Sequence, residues 1–174
     1  IPIKQNKINE AISYLEKTKQ NIFSGNITEN NKSLELAKFI SEIVCIYYPA
    51  GLKASAIRYK NSLQENSKIH AMTEDVIESC HNGIVSWERE SNVKPVLIQG
   101  VNDNVKTIER WKILEEFFDM KKIDYKIVKS VEGDILSKIM SLIYTLDYSS
   151  LYLSILRKID PTPVKSIDFI KKKL

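Results

Sequence analysis

The chain of 174 residues is poor in the residues that build the most recognisable sites. Its only cysteines, Cys45 and Cys80, form no C-x-x-C pair, so the sequence offers no disulfide framework and favours a reducing compartment. It has only two histidines, and histidine and cysteine together show no metal-ligand spacing. We therefore expect no bound metal.

Long apolar runs and glycine-rich loops are also missing. No apolar run approaches the roughly 20 residues of a membrane-spanning helix, and the N-terminus lacks the basic start and apolar stretch of a signal peptide. These absences predict a cytoplasmic protein with no membrane partner. No loop has the glycine pattern of a dinucleotide or P-loop site, which counts against nucleotides, and we expect no cofactor.

The charge of the chain permits phosphate-bearing ligands. The net charge of +4 raises the hypothesis of nucleic-acid binding. The lysines are dispersed, however, and only Lys171 to Lys173 form a run, with no helix-turn-helix or zinc-finger motif beside them. We therefore expect no nucleic-acid partner.

Apolar runs alternate with helical patterns along the chain. With 43% hydrophobic residues, the chain is long enough for one domain with a real core. Strands are predicted at 43–48, 69–72, 95–100 and 124–128. Helices are predicted at 7–23, 54–64 and 135–159, with a short one near Lys171. Two further helices are predicted from their capping residues: one begins after Asn30 or Asn31, and the other begins after Asn102 or Asp103 and runs through Phe118. This alternation predicts an α/β fold: a three-layer αβα sandwich with a mainly parallel sheet.

The stretch 58–88 holds the most suggestive polar groups. Glu65 falls near the C-terminal end of a predicted helix, where the helix dipole disfavours a negative charge and so favours a base. Asp75 or Thr73 can cap a helical turn that leads to His81, which lies beside a glycine. The plain alternatives are a solvated carboxylate and a hydrogen-bonded structural histidine. His70, in a predicted strand, is interpreted as structural, and Cys80 lacks the orienting group that a nucleophile needs.

These residues resemble the bifunctional phosphoglucose/phosphomannose isomerases, which belong to the sugar isomerase (SIS) group. The segments that carry the resemblance are Arg58-Tyr59-Lys60, Glu65-Asn66, His81-Asn82-Gly83-Ile84-Val85-Ser86-Trp87-Glu88, Leu146-Asp147-Tyr148, Tyr152-Leu153, Asp160-Pro161-Thr162-Pro163-Val164 and Ile167-Asp168 with Lys171. The chain departs from the pattern at Gly83, where an acid is usual, and in the lead-in 77–80. These departures bear on substrate preference more than on the reaction.

The resemblance implies an SIS-type fold, a sugar phosphate substrate and a role for each matching residue. Glu65 would be the base that moves a proton between C1 and C2 through an enediol. His81 would open the sugar ring in the site of a neighbouring subunit, which implies a homodimer. Lys171 would stabilise developing charge on O5 or O1, with Lys172 or Lys173 as alternatives. Thr162 would border the sugar, although a turn role is equally plausible.

The resemblance also predicts the domain organisation. Residues 1–174 would be the C-terminal SIS domain, with a helical segment at about 133–174 and without the N-terminal half that carries the phosphate loop. The start at Ile1 fits a processed chain or a segment of a longer one, and the resemblance favours the segment. Two other hypotheses stay open: a non-catalytic sugar-phosphate-binding SIS module, and a structural or basic interaction protein.

Overall fold

A parallel sheet of four strands organises the chain. The computed structural model describes residues 2–174. The strands are β1 (Ile43–Tyr48), β2 (His70–Asp75), β3 (Val93–Gln99) and β4 (Lys126–Lys129), in the spatial order β2-β1-β3-β4. All neighbours are parallel, with Ile43 opposite both His70 and Val93. The four predicted strands are confirmed, and β2 extends three residues beyond its predicted end.

Within residues 2–174, seven helices connect or flank these strands. They are α1 (Gln5–Ile22), α2 (Lys32–Phe39), α3 (Lys53–Ser67), α4 (Val76–Ser79), α5 (Val105–Lys121), α6 (Ile135–Leu156) and α7 (Lys165–Lys171), with 3₁₀ turns at Ala50–Leu52 and Gly83–Glu88. The helix order agrees with the sequence prediction. The cap of α5 does not: Asn104, not Asn102 or Asp103, accepts the amide of Lys106.

The helices cover both faces of the sheet, as predicted for a three-layer sandwich. Side chains alternate along β1: Val44 and Ile46 face a core formed with α2, α3 and α6, while Cys45 and Tyr47 face a second core with α5. Val44 and Ile46 are completely buried. A strand buried on both faces has no polar side, which is why β1 reads as a continuous apolar run.

The long helix α6 corrects one expectation from the sequence. By length and composition it could cross a membrane, although no such segment was expected. In this fold it packs against α1, α2 and α3. Its Asp147 accepts hydrogen bonds from Arg58 at 2.9 Å and from Ser62 at 2.6 Å, both on α3. These contacts make α6 the central helix of one layer.

The direction of the elements defines two edges of the sheet, which we call the amino edge and the carboxyl edge after the strand ends found there. Connections between parallel strands run back across the sheet, so α3 and α6 both end at the amino edge. Arg157, just after α6, pairs at 3.1 Å with Glu42, which precedes β1. The segment that follows α6 therefore begins at the amino edge.

Candidate active site

Glu65 lies in the last turn of α3, at the amino edge. Its side chain is exposed. The adjacent residues are fixed to α6: Asn66 Nδ2 donates to Ser150 Oγ at 2.8 Å, and the hydroxyl of Ser67 donates to Ser150 O at 2.7 Å. Glu65 therefore projects from a helix end whose position is set by the neighbouring helix.

Two residues that carry the family resemblance also join these helices. Arg58 on α3 binds both carboxylate oxygens of Asp147 on α6, through Nε at 3.1–3.2 Å and Nη2 at 2.9 Å. This two-pronged geometry holds the pair in one relative orientation. Its role in this chain is to align α3, and hence Glu65, with α6.

Lys68 connects Glu65 to the C-terminal segment. It follows α3 in the left-handed conformation, with φ of 56°. Its ammonium donates to the carbonyl oxygens of Glu65 at 2.6 Å, Pro163 at 2.8 Å and Pro161 at 3.3 Å. Sequence reasoning missed Lys68, because a lysine after a helix end gives no signal of what its side chain will reach.

Thr162 is thereby brought to the same edge as Glu65. Its amide donates to Asp160 Oδ1 at 2.9 Å, and this bond holds the pKa of Asp160 below its ordinary value, with the nearby charge of Lys68 acting in the same direction. The turn role that was considered for Thr162 is thus present. Its side chain is also exposed beside the end of α3, where a bound molecule could reach it.

Lys171 is the last residue of α7. No residue of this helix is buried. Within residues 2–174, Lys171 takes part in no ion pair, and neither do Lys172 and Lys173. The chain by itself therefore gives no reason to prefer one of the three lysines.

His81 lies at the opposite edge of the sheet. It follows α4, beyond the carboxyl end of β2, where its amide donates to Glu78 O at 2.9 Å and its side chain is exposed. The six residues of β2 separate the end of α3 from α4. At about 3.3 Å per residue this strand spans roughly 17–20 Å, so the fold does not bring His81 to Glu65 of the same chain.

The turn that carries His81 is anchored by Trp87. This residue is buried, donates from Nε1 to the Tyr47 hydroxyl at 2.8 Å, and packs edge-on against Phe118 at 5.3 Å between ring centroids. The indole thus ties the 3₁₀ turn to β1 and α5. His81 is presented on a short loop fixed at both ends, by Asp75 capping α4 and by Trp87.

A carboxylate that sequence reasoning missed lies beside this turn. The Glu74 side chain, near the end of β2, occupies the space that a side chain at Gly83 would need. Partial burial raises the pKa of Glu74, and the negative charge of Glu78 adds to the effect. A side chain at position 83 would require the Glu74 carboxylate, which is the far end of a flexible side chain, to move aside.

The thiols are poorly suited to nucleophilic chemistry. Burial raises the pKa of Cys45 to about 11, and partial burial also raises the pKa of Cys80, so both disfavour the thiolate. His70 begins β2 with its side chain exposed. Among residues 2–174, no three His, Cys, Asp or Glu side chains group as metal ligands would.

Comparisons with known proteins identify the family of this chain. Residues 29–174 match the family described as "Bacterial phospho-glucose isomerase C-terminal SIS domain". The chain is 32% identical over 142 residues to a bifunctional phosphoglucose/phosphomannose isomerase of Caldicellulosiruptor bescii, covering 79% of this chain and 42% of that protein. It is 27% identical over 164 residues to the protein of the same name from Aquifex aeolicus, covering 92% and 51%.

A solved structure supports the fold. The crystal structure of a glucose-6-phosphate isomerase like protein from Thermus thermophilus superposes with a TM-score of 0.69 at 14% identity, covering 90% of this chain and 52% of the other. The chain thus spans about half the length of the relatives that it matches.

Proposed function

Because the chain belongs to the family of bacterial phospho-glucose isomerase C-terminal SIS domains, we propose that it is the C-terminal half of an enzyme that interconverts glucose 6-phosphate with fructose 6-phosphate. By the same relation we propose mannose 6-phosphate as a further substrate, since the curated relatives are named for both activities. The reaction would be a proton transfer between C1 and C2 through an enediol.

Each candidate residue would have one task in this reaction. Glu65 would take the proton from one carbon and return it to the other, so that no net proton is lost. His81 would open the sugar ring before this transfer by moving a proton between the ring oxygen and the C1 hydroxyl. Lys171 would stabilise the negative charge that develops on a sugar oxygen, and Thr162 would contact the sugar beside Glu65.

The observation that carries this proposal is the placement of Glu65 and His81 at opposite edges of the sheet. A hexose phosphate cannot touch both side chains across the roughly 17–20 Å span of β2. It can touch Glu65 of one chain and His81 of a second copy, as a ring-opening residue supplied by a neighbouring subunit requires. We therefore propose a homodimer with sites shared between subunits.

The exposure of these side chains supports a site that is completed by other parts of the enzyme. Four cavities in the described part of the chain are lined by residues other than Glu65, His81, Thr162 and Lys171. Apolar side chains that no neighbour covers lie on α7, where Phe169 is 65% and Ile170 56% exposed. We propose that these residues, and an apolar hollow between α1 and α6 near Ile12 and Met140, pack against the other half or the partner subunit.

The experiment that tests the proposal is Glu65→Gln in the full-length protein, with Glu29→Gln as a matched control because Glu29 is also exposed. The amide is isosteric but cannot accept the proton, so exchange of solvent deuterium into the C2 position should fall by more than tenfold while hexose-phosphate binding persists. Exchange within about tenfold of the parent enzyme would exclude Glu65 as the base.

A mixture of Glu65→Gln and His81→Ala subunits tests the shared site. If His81 acts in the partner's site, mixed dimers contain one site that has both native residues, and part of the activity returns. Verified mixed dimers with no recovered activity would place both residues in the site of one subunit. A non-catalytic SIS module, in contrast, would bind hexose phosphates and exchange no proton even before mutation.

A further inference from the structure

A site shared between two copies restricts where those copies can meet. In a homodimer with a twofold axis, Glu65 of each copy must lie beside His81 of the other. A half-turn achieves this only if its axis passes close to the midpoint of the line that joins the two side chains within one copy, at about a right angle to that line. The line follows β2, because this strand connects the two edges where Glu65 and His81 lie.

The midpoint of this line falls at the middle of β2. The central residues of the strand, Met72 and Thr73, lie about 10 Å from either edge, since the whole strand spans roughly 17–20 Å. β2 is an edge strand whose one strand neighbour is β1, so a second copy can approach it from the open side. A half-turn about an axis at a right angle to β2 makes the β2 strands of the two copies antiparallel.

The face of β2 that carries Met72 lacks the cover that the neighbouring strand has. Met72 lies opposite Cys45 of β1 in the parallel register, so both side chains are on the same face of the sheet. Cys45 is only 4% exposed, inside the core formed with α5, whereas Met72 is 48% exposed. The cover by α5 therefore ends between β1 and β2. Methionine is enriched in protein interfaces, and here it lies uncovered at the middle of an edge strand.

The charges on either side of Met72 favour a second copy as the partner. His70 and Glu74 are two residues before and after Met72, and so they share its face. Within residues 2–174, neither of them takes part in an ion pair. In an antiparallel arrangement centred on Met72, His70 of each copy lies beside Glu74 of the other copy. The surface is thus complementary to itself, as a twofold interface requires.

We propose that two copies of the chain meet across β2, with the two strands antiparallel and the twofold axis beside Met72. One shared site then lies at each end of the paired strands, where Glu65 of one copy faces His81 of the other. The proposal rests on the shared site of the proposed function, which fixes the axis, whereas contact at Met72 can be measured without any isomerase activity.

Cross-linking of the full-length protein tests the position of the axis. Met72→Cys is made in a Cys80→Ser background and treated with bis(maleimido)ethane, and the linked peptides are identified by mass spectrometry. A thiol across the axis has an effective concentration of about 1 mM, so at about 10 µM protein the linkage should form roughly a hundredfold faster than for Met120→Cys, a 68% exposed position on α5. Equal rates at the two positions would overturn the proposal.

Opposite charges at the same position test whether Met72 faces its own copy. Met72→Arg and Met72→Glu each place like charges on both sides of the axis, and each should raise the dimer dissociation constant in sedimentation by about tenfold or more. An equal mixture of the two variants places opposite charges across the axis and should restore the dimer. Met72→Leu should behave as the parent. Single variants that stay fully dimeric, or a mixture that recovers no dimer, would place the axis elsewhere.

Failure of this interface can be told apart from failure of the proposed function. Activity recovered by mixing Glu65→Gln and His81→Ala subunits, without cross-linking of Met72→Cys, would keep the shared site and reject this axis. Cross-linking of Met72→Cys in an enzyme whose Glu65→Gln variant still exchanges the C2 proton would keep the interface and reject Glu65 as the base.

Discussion

Lys68 offers the sharpest test of how the candidate site is held together. Its ammonium donates to three carbonyls, of which two belong to the segment around Thr162. Lys68→Met keeps the length of the side chain and removes all three bonds. Only the bonds to Pro161 and Pro163 reach this segment, so at about 0.5 kcal/mol for each exposed bond the loss is about 1 kcal/mol, which corresponds to about a fivefold increase in local opening. Hydrogen exchange measured on peptides covering 160–171 should accelerate by that factor.

Lys122 provides a matched control for this experiment. It ends α5 with φ 56° and ψ 37°, almost the same backbone conformation as Lys68, with φ 56° and ψ 33°. No hydrogen bond of its ammonium is found in the part of the chain that the structure describes, so Lys122→Met removes a lysine from the same kind of position without breaking such a bond. If the two substitutions have the same effect on exchange in 160–171, the Lys68 bonds to Pro161 and Pro163 do not hold this segment.

Two further substitutions test the anchoring of the His81 turn. Trp87→Phe should lower the free energy of unfolding by about 2–3 kcal/mol in urea titrations, because the ring is smaller and the hydrogen bond to the Tyr47 hydroxyl is lost. In a Tyr47→Phe background, the same substitution should lower the free energy of unfolding by about 1 kcal/mol less. Equal losses in the two backgrounds would show that this hydrogen bond does not stabilise the fold. Glu74→Gln should stabilise the fold at pH 7, since the raised pKa of Glu74 means that its ionised form is disfavoured in the folded state. The gain should shrink as the pH falls through the raised pKa of the folded state and should vanish below the pKa of an unfolded glutamate. A gain that is constant with pH would contradict this account.

The strands and the core could be predicted from the sequence because burial leaves a direct trace in composition. Ile43–Tyr48 is apolar at nearly every position since both of its faces are covered. β2 was predicted too short because it lies at the edge of the sheet, and Thr73, Glu74 and Asp75 are only partly buried. A strand that is only partly covered can keep polar residues, and in the sequence such residues have the composition of a loop.

The ends of helices were harder to predict, because glycine does not mark them here. Lys68, Lys122 and Lys158 follow α3, α5 and α6 in the left-handed conformation, where a glycine is usual. After α6, the amide of Ile159 donates back to Ser154 O at 2.8 Å, which ends the helix at Leu156 although the apolar pattern continues to residue 159. A lysine in this conformation costs roughly 1 kcal/mol relative to glycine, and nothing in the sequence announces it.

The cap of α5 was missed for a related reason. Asp103 is a good capping residue by type, but its Oδ2 accepts from the amide of Gly100 at 2.9 Å and from the Trp111 indole at 3.1 Å. Asn102 adopts φ 65° and turns the loop. The capping task therefore falls to Asn104. Three candidate side chains stand in a row, and only the tertiary contacts decide among them.

The candidate site was predictable as a set of residues and not as an arrangement. Glu65 and His81 are only 16 positions apart in the sequence, and this separation suggests that they are close in space. The strand β2 lies between them, however, and places them at opposite edges of the sheet. Lys68 was missed because its contact with Pro161 joins positions that are distant in sequence. Glu74 was missed because a turn of the chain brings Gly83 next to it, and the sequence does not indicate this contact. The assignment of catalytic roles remains a prediction that Glu65→Gln and subunit mixing address.

The exposure of the candidate residues leads to a last prediction, which concerns the 174-residue chain tested by itself. We expect it to fold, because both cores are closed: Ile46 on one face and Leu97 on the other are completely buried. We also expect no measurable isomerase activity. Glu65, His81 and Lys171 are all exposed to solvent, and the chain spans about half the length of its relatives.

The physical reason for the inactivity lies in how a sugar phosphate is positioned. Contacts with the remote phosphate supply much of the binding energy that orients the reacting carbons, and their loss lowers turnover as well as affinity. An exposed carboxylate also acts in water, where it gains nothing from a fixed low-dielectric surrounding. Glucose 6-phosphate formation from fructose 6-phosphate, followed in a coupled assay, decides the matter. Turnover by the isolated chain close to that of a full-length relative would mean that these residues include the phosphate site, and that the division into two halves proposed above is wrong.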